Sequence, residues 1–343
     1  MKIYCIKIDS VPFSRDVHKI NNVVGGHLVR QIGGCYTTET LLQMLTGKNS
    51  SQLFPHGFGY HRWEDYCKNL NDRDQVTGKR FKNAIPEYDW VKESLPYILH
   101  DQGFRFEVMN EVNVGVPLSF MRYDWYNETL IKTSEVEKHR DFVQRMQESN
   151  DNIFCMTNCT MMHDACDLSS SLEDLQVRQK NCIPNILELL GHWDFSELNA
   201  LFWVYSDHGH YRFPSFGGYP YAHNFVSWVS LRDNTRRPST LRSRIISATD
   251  FYEYVLRNHW PKHEVFYTED GRLGIEPKKS TTAIACELAG DNFHYVSYHK
   301  PDDKFDHHEY VMRRDLNLFP IEEFDSNAEG LIRSLEQHFD WVK

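Results

Sequence analysis

The sequence predicts a mixed α/β protein built on a mostly parallel sheet. Over residues 1–260, short apolar runs alternate with longer amphipathic stretches, which is the pattern of strands alternating with helices. From Pro261 onward the pattern changes to short alternating runs, which are typical of a small antiparallel sheet. We therefore expect a core of residues 1–260, with residues 261–343 forming a small antiparallel sheet and a closing helix packed on it.

Each predicted element rests on its periodicity and on the residues that bound it. Short runs rich in β-branched or aromatic residues predict strands at residues 2–8, 104–109, 151–160, 201–205 and 225–231, and then at 264–268, 282–287, 292–298 and 308–313. Amphipathic stretches bounded by caps, glycine or proline predict helices at residues 16–29, 37–47, 88–100, 133–148, 168–190, 245–258 and 327–342. The wholly apolar run at 201–205 indicates a buried strand.

Composition and charge narrow the class of protein. The chain has 343 residues, of which 41% are hydrophobic and 25% charged, so it is long enough and apolar enough to be globular. Its net charge of −10 argues against a protein that coats nucleic acid, because phosphate backbones are bound by an excess of Lys and Arg. A small phosphate or sulfate ester remains possible, since a bound metal can make one site locally positive.

The sequence contains no recognisable targeting signal and no cysteine motif. The first ten residues, MKIYCIKIDS, lack the apolar stretch of a signal peptide, and no apolar run approaches the roughly 18 residues of a membrane span. The eight cysteines form no CxxC pair, which favours reduced thiols over disulfides or a structural zinc site. We therefore expect a cytoplasmic protein without a membrane span.

Acidic and histidine side chains follow two of the predicted strands. The run at 201–210, LFWVYSDHGH, places Asp207 and His208 directly after a buried strand, and Asp9 directly follows the first strand. If both strands are parallel and central, these side chains meet at the carboxyl edge of the sheet, where open α/β sheets bind their ligands. A carboxylate beside an imidazole suits a divalent metal. The alternatives are a polar turn at Asp207-His208 and an Asx turn or helix cap at Asp9.

A hydroxyl group is expected at the start of the predicted helix 37–47. Thr37 or Thr38 is a plausible N-cap, Glu39 lies in the first turn, and Gly47 ends the helix. The positive end of the helix dipole favours the alkoxide form of such a hydroxyl, and a metal favours it far more. The alternative is a capping threonine with no chemistry.

Taken in order, these segments resemble those of the alkaline phosphatase/sulfatase superfamily. Asp9 resembles its first metal aspartate, and Thr37 stands ten residues before the glycine of the Leu-Thr-Gly that ends the nucleophile block. The Ser-Asp-His-Gly at 206–209 resembles its second metal pair. Further matching segments are the loop 48–57 ending Pro-His-Gly, the helix–strand junction 94–104, the block 160–163 that ends in a histidine, and the helix after residue 245. The resemblance covers nearly the whole chain.

The resemblance implies an alkaline-phosphatase-like three-layer sandwich with a catalytic core at 1–260, and the departures from it indicate the chemistry. Sulfatases convert a Cys or Ser followed by x-Pro-x-Arg into formylglycine, and the segment from Thr37 lacks all of these residues, so no formylglycine is expected. The sulfatase Lys and His that bind the anion would fall near Glu111 and Asn113 and are absent. A threonine nucleophile is similar to that of the nucleotide pyrophosphatase/phosphodiesterases and of the lipoteichoic-acid-synthase-like phosphotransferases.

The resemblance implies a set of site residues. The predicted metal ligands are Asp9, Thr37, Asp207 and His208, which suit one Zn²⁺ or Mn²⁺, with a second metal possible. The predicted catalytic residues are Thr37 as nucleophile and His163 as leaving-group acid or anion contact, although His163 could equally cap a strand. Residues assigned to the substrate or to a second metal are His223, Asp164 and His210.

The implied function is a metal-dependent hydrolase or transferase of phosphate esters. The simplest form is a phosphodiesterase that works through a Thr37 alkoxide and a phospho-threonine intermediate, on a small-molecule or a glycan- or lipid-linked phosphate ester. Two alternatives stay open at this point. One is a sulfatase-type hydrolase of sulfate esters, and the other is a binding protein that kept the fold without catalysis.

Overall fold

A computed structural model gives the structure of the chain and describes residues 1–11, 15–34, 37–53, 89–110, 125–132, 134–209, 226–235, 245–270, 281–289, 292–300, 307–313 and 328–338. The strands are β1 Lys2–Ile8, β2 His27–Ile32, β3 Arg105–Asn110, β4 Asn127–Leu130, β5 Ile153–Cys159, β6 Ala200–Tyr205, β7 Val226–Asp233, β8 Ile245–Ser247, β9 Val265–Asp270, β10 Thr281–Ala289, β11 Asn292–Lys300 and β12 His307–Arg313. The helices are α1 Arg15–Val24, α2 Thr37–Thr46, α3 Ser50–Leu53, α4 Leu95–Asp101, α5 Val136–Glu148, α6 Met161–Leu168, α7 Leu172–Leu190, α8 Asp250–Arg257 and α9 Ala328–His338, with a short 3₁₀ turn at Asp89–Glu93.

Eight strands form one large sheet in the order β4-β3-β5-β1-β6-β7-β2-β8. All neighbouring pairs are parallel except the two made by β7, which runs antiparallel to both β6 and β2. The predicted fold class, a mixed α/β protein with a mostly parallel sheet, is thereby confirmed. The strand β1 lies in the middle of this sheet, so its carboxyl end is flanked by the ends of β5 and β6.

Two apolar cores, one on each face of the sheet, hold the layers together. Alternate residues of β1 enter opposite cores: Ile3 and Cys5 pack with α2, α4 and α8, whereas Tyr4 and Ile6 pack with α1, α5 and α7. The central strands β1, β5 and β6 are buried along almost their full length, as expected for parallel strands covered on both faces. Helix, sheet and helix thus form three layers.

Two predicted helices are wrong in part, because each includes a strand. Residues 16–29 were expected to form one helix, but α1 ends at Val24 and β2 begins at His27. Gly25 ends the helix with a φ of +65°, a conformation that side chains with a Cβ rarely adopt. Similarly, residues 245–258 divide into β8 and α8. These two strands, β2 and β8, pair with each other, and β2 also pairs with β7; such long-range pairing leaves a weak local signal. The short edge strand β4 is a third strand that the sequence pattern did not predict.

The C-terminal strands form a separate antiparallel sheet in the order β12-β11-β10-β9, which confirms the small sheet predicted there. Its edge strand β9 is tied to the helix α2 and the loop before it. The Thr268 hydroxyl donates to the Gly33 carbonyl at 2.9 Å and accepts from the Gln43 amide at 3.0 Å. The division of the chain at residue 260 stays a prediction. Within the described ranges, no helix is both long enough and apolar enough to cross a bilayer.

Candidate metal centre

Four polar side chains from three elements meet at the carboxyl edge of the large sheet. Asp9 follows β1, Asp207 and His208 follow the adjacent parallel strand β6, and Thr37 is the first residue of α2. The Thr37 hydroxyl donates to Asp207 Oδ2 at 2.5 Å, and His208 Nε2 lies 3.6 Å from Asp9 Oδ1 and 3.7 Å from Asp207 Oδ2. Asp9, Asp207 and His208 are buried and each offers a ligand atom within 4.8 Å of the others. The geometry therefore brings together the four residues predicted to bind metal.

The orientation of His208 suits a metal ligand. Its Nδ1 lies 2.7 Å from the Gly209 carbonyl oxygen, which can only accept a hydrogen bond, so Nδ1 carries the proton. In the neutral ring Nε2 then presents its lone pair to the carboxylates of Asp9 and Asp207. A hydrogen bond from the ring nitrogen that faces away from the ligand position is typical of metal-bound histidine, because it fixes the orientation of the ring. The donor set therefore fits a divalent cation.

The loops that carry the carboxylates are fixed by a local hydrogen-bond network. Ser10 adopts a left-handed backbone conformation with φ of 59°. Its hydroxyl donates to Asp9 Oδ1 at 2.7 Å, and its backbone N–H donates to Asp207 Oδ1 at 3.3 Å. Ser206 links the same loops, because its hydroxyl accepts from Val11 N at 2.9 Å and lies 2.8 Å from the His208 carbonyl. A non-glycine residue at positive φ is strained, and strain of this kind beside the cluster indicates that it is maintained because it positions the two carboxylates.

A close approach of two backbone segments places the start of α2 against the cluster. The Thr40 hydroxyl lies 2.8 Å from the Asp207 carbonyl and 3.1 Å from the Gly34 carbonyl, so it joins α2 both to β6 and to the preceding loop. A Cβ added at Gly34 would lie 2.2 Å from the Glu39 Cβ, which no side chain could tolerate. The absence of a Cβ at Gly34 therefore lets this residue lie directly against the first turn of α2.

A further residue, Lys7, lies within this cluster although the sequence pattern did not single it out. Its Nζ donates to Asp9 Oδ2 at 2.9 Å and to Asp207 Oδ2 at 3.1 Å, and it lies 3.3 Å from Thr37 Oγ. The side chain is only 1% exposed. Since side chains alternate along a strand, a lysine two residues before Asp9 shares its face of β1. That spacing, in a strand otherwise apolar between Ile3 and Ile8, was the available signal.

Burial and charge act in opposite directions on Lys7 and on Asp9. Burial favours the neutral amine of Lys7, but the carboxylates of Asp207 and Asp9 outweigh it and raise the pKa of this ammonium above its ordinary value. Burial likewise opposes ionisation of Asp9, but Lys7, with smaller contributions from His208 and His163, holds the pKa of that carboxyl well below its usual range. Both groups are therefore charged at neutral pH.

Two polar side chains flank Lys7 across the sheet. Asn158 on β5 and Tyr205 on β6 pair with Lys7 in the strand register, so all three point to the same face. Both are buried, and in the described part of the chain the Asn158 amide and the Tyr205 hydroxyl have no hydrogen-bond partner. Burial, followed by nearby Cys5, Asp207 and Asp9, raises the pKa of Tyr205. Such orphaned groups usually contact water or a ligand.

The remaining predicted site residues lie farther out or outside the described ranges. His163 is the third residue of α6, is 24% exposed, and lowers the pKa of Asp9 electrostatically, so it lies near the cluster. Asp164 is 62% exposed, and its carboxylate accepts a 3.4 Å hydrogen bond from Thr160. Residues 161–164 begin a helix and do not merely follow a strand. His210 and His223 lie outside the described residues, as do Glu111 and Asn113.

Solved structures of similar fold support the predicted resemblance. An alkaline phosphatase superfamily protein from Vibrio parahaemolyticus aligns at 11% identity with a TM-score of 0.55, over 99% of this chain and 86% of that one. A lipoteichoic acid synthase from Listeria monocytogenes aligns at 10% identity with a TM-score of 0.51, over 99% and 91% of the two chains. A glycosaminoglycan-metabolism protein of Bacteroides thetaiotaomicron aligns at 10% identity with a TM-score of 0.52, over 99% and 98%.

Sequence comparison alone gives no such match. No protein-family model matches the chain, and no curated protein matches it. At identities of 10–11% the structural likeness establishes the fold and leaves the activity open. The chain has the fold of the alkaline phosphatase superfamily, as its sequence predicted.

Proposed function

We propose that this protein is a metal-dependent hydrolase or transferase of phosphate esters, most directly a phosphodiesterase, with Thr37 as its nucleophile. One observation carries the proposal: the Thr37 hydroxyl, half-buried at the start of α2, donates to Asp207 Oδ2 at 2.5 Å within a buried cluster of metal-ligand type. A threonine that only caps a helix does not require two aspartates and an imidazole close to its hydroxyl group. Chemistry at the hydroxyl explains the whole arrangement better than helix capping does.

The donor atoms favour a first-row divalent ion. Asp9, Asp207 and His208 would hold the cation, with Thr37 Oγ as a fourth donor, and this set of oxygen and imidazole ligands suits Zn²⁺ or Mn²⁺. When bound, such an ion would lower the pKa of the Thr37 hydroxyl and supply positive charge close to the phosphoryl oxygens.

In the proposed reaction, side chains of this protein supply the nucleophile and carry the protons. The Thr37 oxygen forms a bond to phosphorus while the bond from phosphorus to the leaving alcohol breaks, and the threonine proton passes to Asp207, which already accepts its hydrogen bond. His163 donates a proton to the departing oxygen. Water, or an acceptor alcohol in a transferase, then attacks phosphorus and breaks its bond to Thr37. The attacking oxygen gives its proton to His163, and the proton on Asp207 returns to the Thr37 oxygen, which restores the starting state.

The substrate class follows from charge and from the similar structures. A chain of net charge −10 disfavours long polyanions, so a small-molecule or a glycan- or lipid-linked phosphate ester is favoured. The lipoteichoic acid synthase among the similar structures points in the same direction.

Paired chromogenic esters test the proposal. We would strip the protein with a chelator, restore Zn²⁺ or Mn²⁺, and compare bis-p-nitrophenyl phosphate, p-nitrophenyl phosphate and p-nitrophenyl sulfate. We expect the diester to be hydrolysed fastest, only with metal present, and a phosphoryl adduct on Thr37 to be detectable by mass spectrometry after an acid quench. A dominant rate on the sulfate ester would instead assign the chain to sulfate ester hydrolysis.

Two variants of the same helix make the test specific. Thr37→Ala should lower kcat at least about 1,000-fold, because the nucleophile is lost. Thr46→Ala is the matched control at the other end of α2, where the hydroxyl donates to the Leu42 carbonyl at 2.6 Å and touches no cluster residue. Full activity of Thr37→Ala, or equal loss in both variants, would rule out Thr37 as the nucleophile.

A further inference from the structure

Lys7 contacts three of the four residues proposed to bind the metal. Its Nζ lies 2.9 Å from Asp9 Oδ2, 3.1 Å from Asp207 Oδ2 and 3.3 Å from Thr37 Oγ. An ammonium group with three oxygen neighbours at these distances uses its full set of three donors. The lysine is therefore a member of the centre, and any account of the metal must include its charge.

The charge of the carboxylates and the lysine leaves room for one divalent ion. Asp9 and Asp207 carry two negative charges and Lys7 carries one positive charge, so these three side chains together are net negative by one charge. One divalent ion turns them net positive by one charge, which suits an anionic phosphate ester. A second divalent ion would need further acidic ligands, and within the residues that the structure describes no other His, Cys, Asp or Glu joins this group.

The two oxygens of Asp9 separate the ammonium from the metal position. Oδ2 accepts from Lys7, whereas Oδ1 lies 3.6 Å from His208 Nε2 and accepts from Ser10. Lys7 rises from the fully buried strand β1, and His208 approaches from the loop after β6. On Asp9 the ammonium and the imidazole therefore face different oxygens, whereas on Asp207 both lie nearest Oδ2, so Asp9 Oδ1 is the carboxylate oxygen near His208 that Lys7 does not contact.

We propose that Lys7 is a built-in second cation of this centre, so that the chain binds one divalent ion per molecule and the Lys7 ammonium supplies, beside Thr37 Oγ, the positive charge that a second metal would otherwise bring. This inference rests on the proposed function for its catalytic part. Its binding part depends only on the charges and contacts of the cluster. Lys7 acts on the reacting atoms directly, because it contacts the nucleophilic oxygen.

Metal titration of the full chain tests the inference. We would titrate Zn²⁺, and separately Mn²⁺, into metal-free wild type and Lys7→Met by calorimetry, and count bound ions by mass spectrometry with inductively coupled plasma. We expect one ion per wild-type chain, and an affinity at least about tenfold higher in Lys7→Met, because a like charge next to the ion is removed. Two ions per wild-type chain, or an affinity in Lys7→Met equal to or lower than that of wild type, would overturn the inference.

A second variant and a matched control protect the test from misfolding. Lys7→Gln removes the charge but keeps a donor toward Asp9 and Asp207, and should show the same gain in affinity if Lys7→Met does not fold. Lys2→Met is the control on the same strand: Lys2 is also largely buried and paired with a carboxylate, Glu197, but lies at the other end of β1. Its metal affinity should equal that of wild type, and a gain as large as that of the Lys7 variants would overturn the inference.

Turnover separates the inference from the proposed function. With saturating metal, Lys7→Gln should lose at least about 100-fold in kcat on the diester with a much smaller change in KM, since the charge acts on the reacting atoms. Wild-type kcat in that variant would overturn the role of Lys7 as second cation. If wild type hydrolyses no ester while the Lys7 variants still gain metal affinity, the proposed function fails and the charge role of Lys7 in metal binding is upheld.

Discussion

The strand β1 carries a buried lysine at each end, and the two lysines serve different purposes. At the start, Lys2 Nζ donates to Glu197 Oε1 at 2.6 Å and to the Gln147 carbonyl, while Glu197 Oε2 accepts from Tyr4 at 3.0 Å and from the Gln147 amide at 3.0 Å. One ammonium balances one carboxylate, and both carboxylate oxygens have donors.

At the other end, one ammonium serves two carboxylates. Lys7 contacts both Asp9 and Asp207, so the single ammonium is shared between two negative charges. A buried cluster with an unbalanced charge is unfavourable in a low-dielectric interior unless a further cation joins it. The difference teaches that folding alone explains the first pair, whereas the second group has the composition and spacing of a group that could hold a metal ion.

The largest expected effect comes from removing one carboxylate at each end. Asp207→Asn should abolish measurable metal binding and lower kcat on the diester at least about 1,000-fold, because Asp207 contacts Lys7, Thr37 and the metal position. Glu197→Gln should lower stability and leave metal binding intact. Calorimetry and diester hydrolysis measure both variants, and loss of metal binding in Glu197→Gln would erase the distinction between the two ends.

A smaller effect is expected from Lys2→Met. The variant leaves Glu197 largely buried without its ammonium partner, and we expect the free energy of unfolding to fall by about 2–3 kcal/mol. Denaturant unfolding of the metal-free protein gives this value. A change below about 0.5 kcal/mol would show that the Lys2–Glu197 pair contributes as little to stability as an exposed ion pair does.

Removing the metal should lower the free energy of unfolding by an amount comparable to that expected for Lys2→Met, and this effect should come from the cluster around Lys7 alone. Saturating Zn²⁺ at about 100 times its dissociation constant should stabilise the folded protein by about 2.7 kcal/mol, because only the folded chain assembles the ligands. The thermal midpoint should rise on adding Zn²⁺ in wild type and in Glu197→Gln, and fall again with a chelator. In Asp207→Asn the shift should disappear, and persistence of the shift there would locate the metal elsewhere.

The smallest effect concerns a third buried group, which carries no charge. His139 and His192 lie with their Nδ1 atoms 2.9 Å apart, and burial, followed by the neighbouring His192, lowers the pKa of His139 to about 4. Between the ordinary value of 6.5 and about 4, the unfolded chain binds a proton at this position that the folded chain does not. Stability should therefore fall by about 2 kcal/mol as the pH drops through this window.

A neutral replacement isolates that contribution. His139→Gln keeps a polar partner for His192 but does not titrate, so its free energy of unfolding should depend less on pH between 6.5 and 4 than that of wild type. Urea unfolding at several pH values measures the difference. Identical pH dependence in the two proteins would show that His139 titrates normally in the fold.

The parts of the site that could be predicted are those set by strand direction. Asp9 and Asp207 each follow an apolar strand, and parallel neighbours bring their carboxyl ends to one edge, so their proximity follows from pattern and topology. The family resemblance added Thr37. The same reasoning gave the large sheet and the small C-terminal sheet.

The parts that could not be predicted depend on packing between distant segments. From the sequence alone, a lysine at position 7 would be expected at the surface, because buried lysines are rare. Its burial is favourable here only because the carboxylates of Asp9 and Asp207 surround it. The strand β2 was missed because its pairing partner β7 lies about 200 residues away along the chain, too far for local periodicity to show it. The left-handed conformation of Ser10 likewise arises from contacts with the loop after β6.

The two hydrogen bonds of Thr268 predict the effect of truncating the chain before the C-terminal sheet. They connect the edge of the small sheet to Gly33 and Gln43, on either side of the residue proposed as nucleophile. A truncation at residue 260 would remove the hydrogen bond to the Gly33 carbonyl and one of the two hydrogen bonds of the Gln43 amide, which also donates to Asn49 at 3.1 Å, and we expect it to destabilise the segment around Thr37. The C-terminal sheet is thus tied by hydrogen bonds to the segments on both sides of the proposed nucleophile, and we expect a shortened chain to need this sheet to keep the cluster in place.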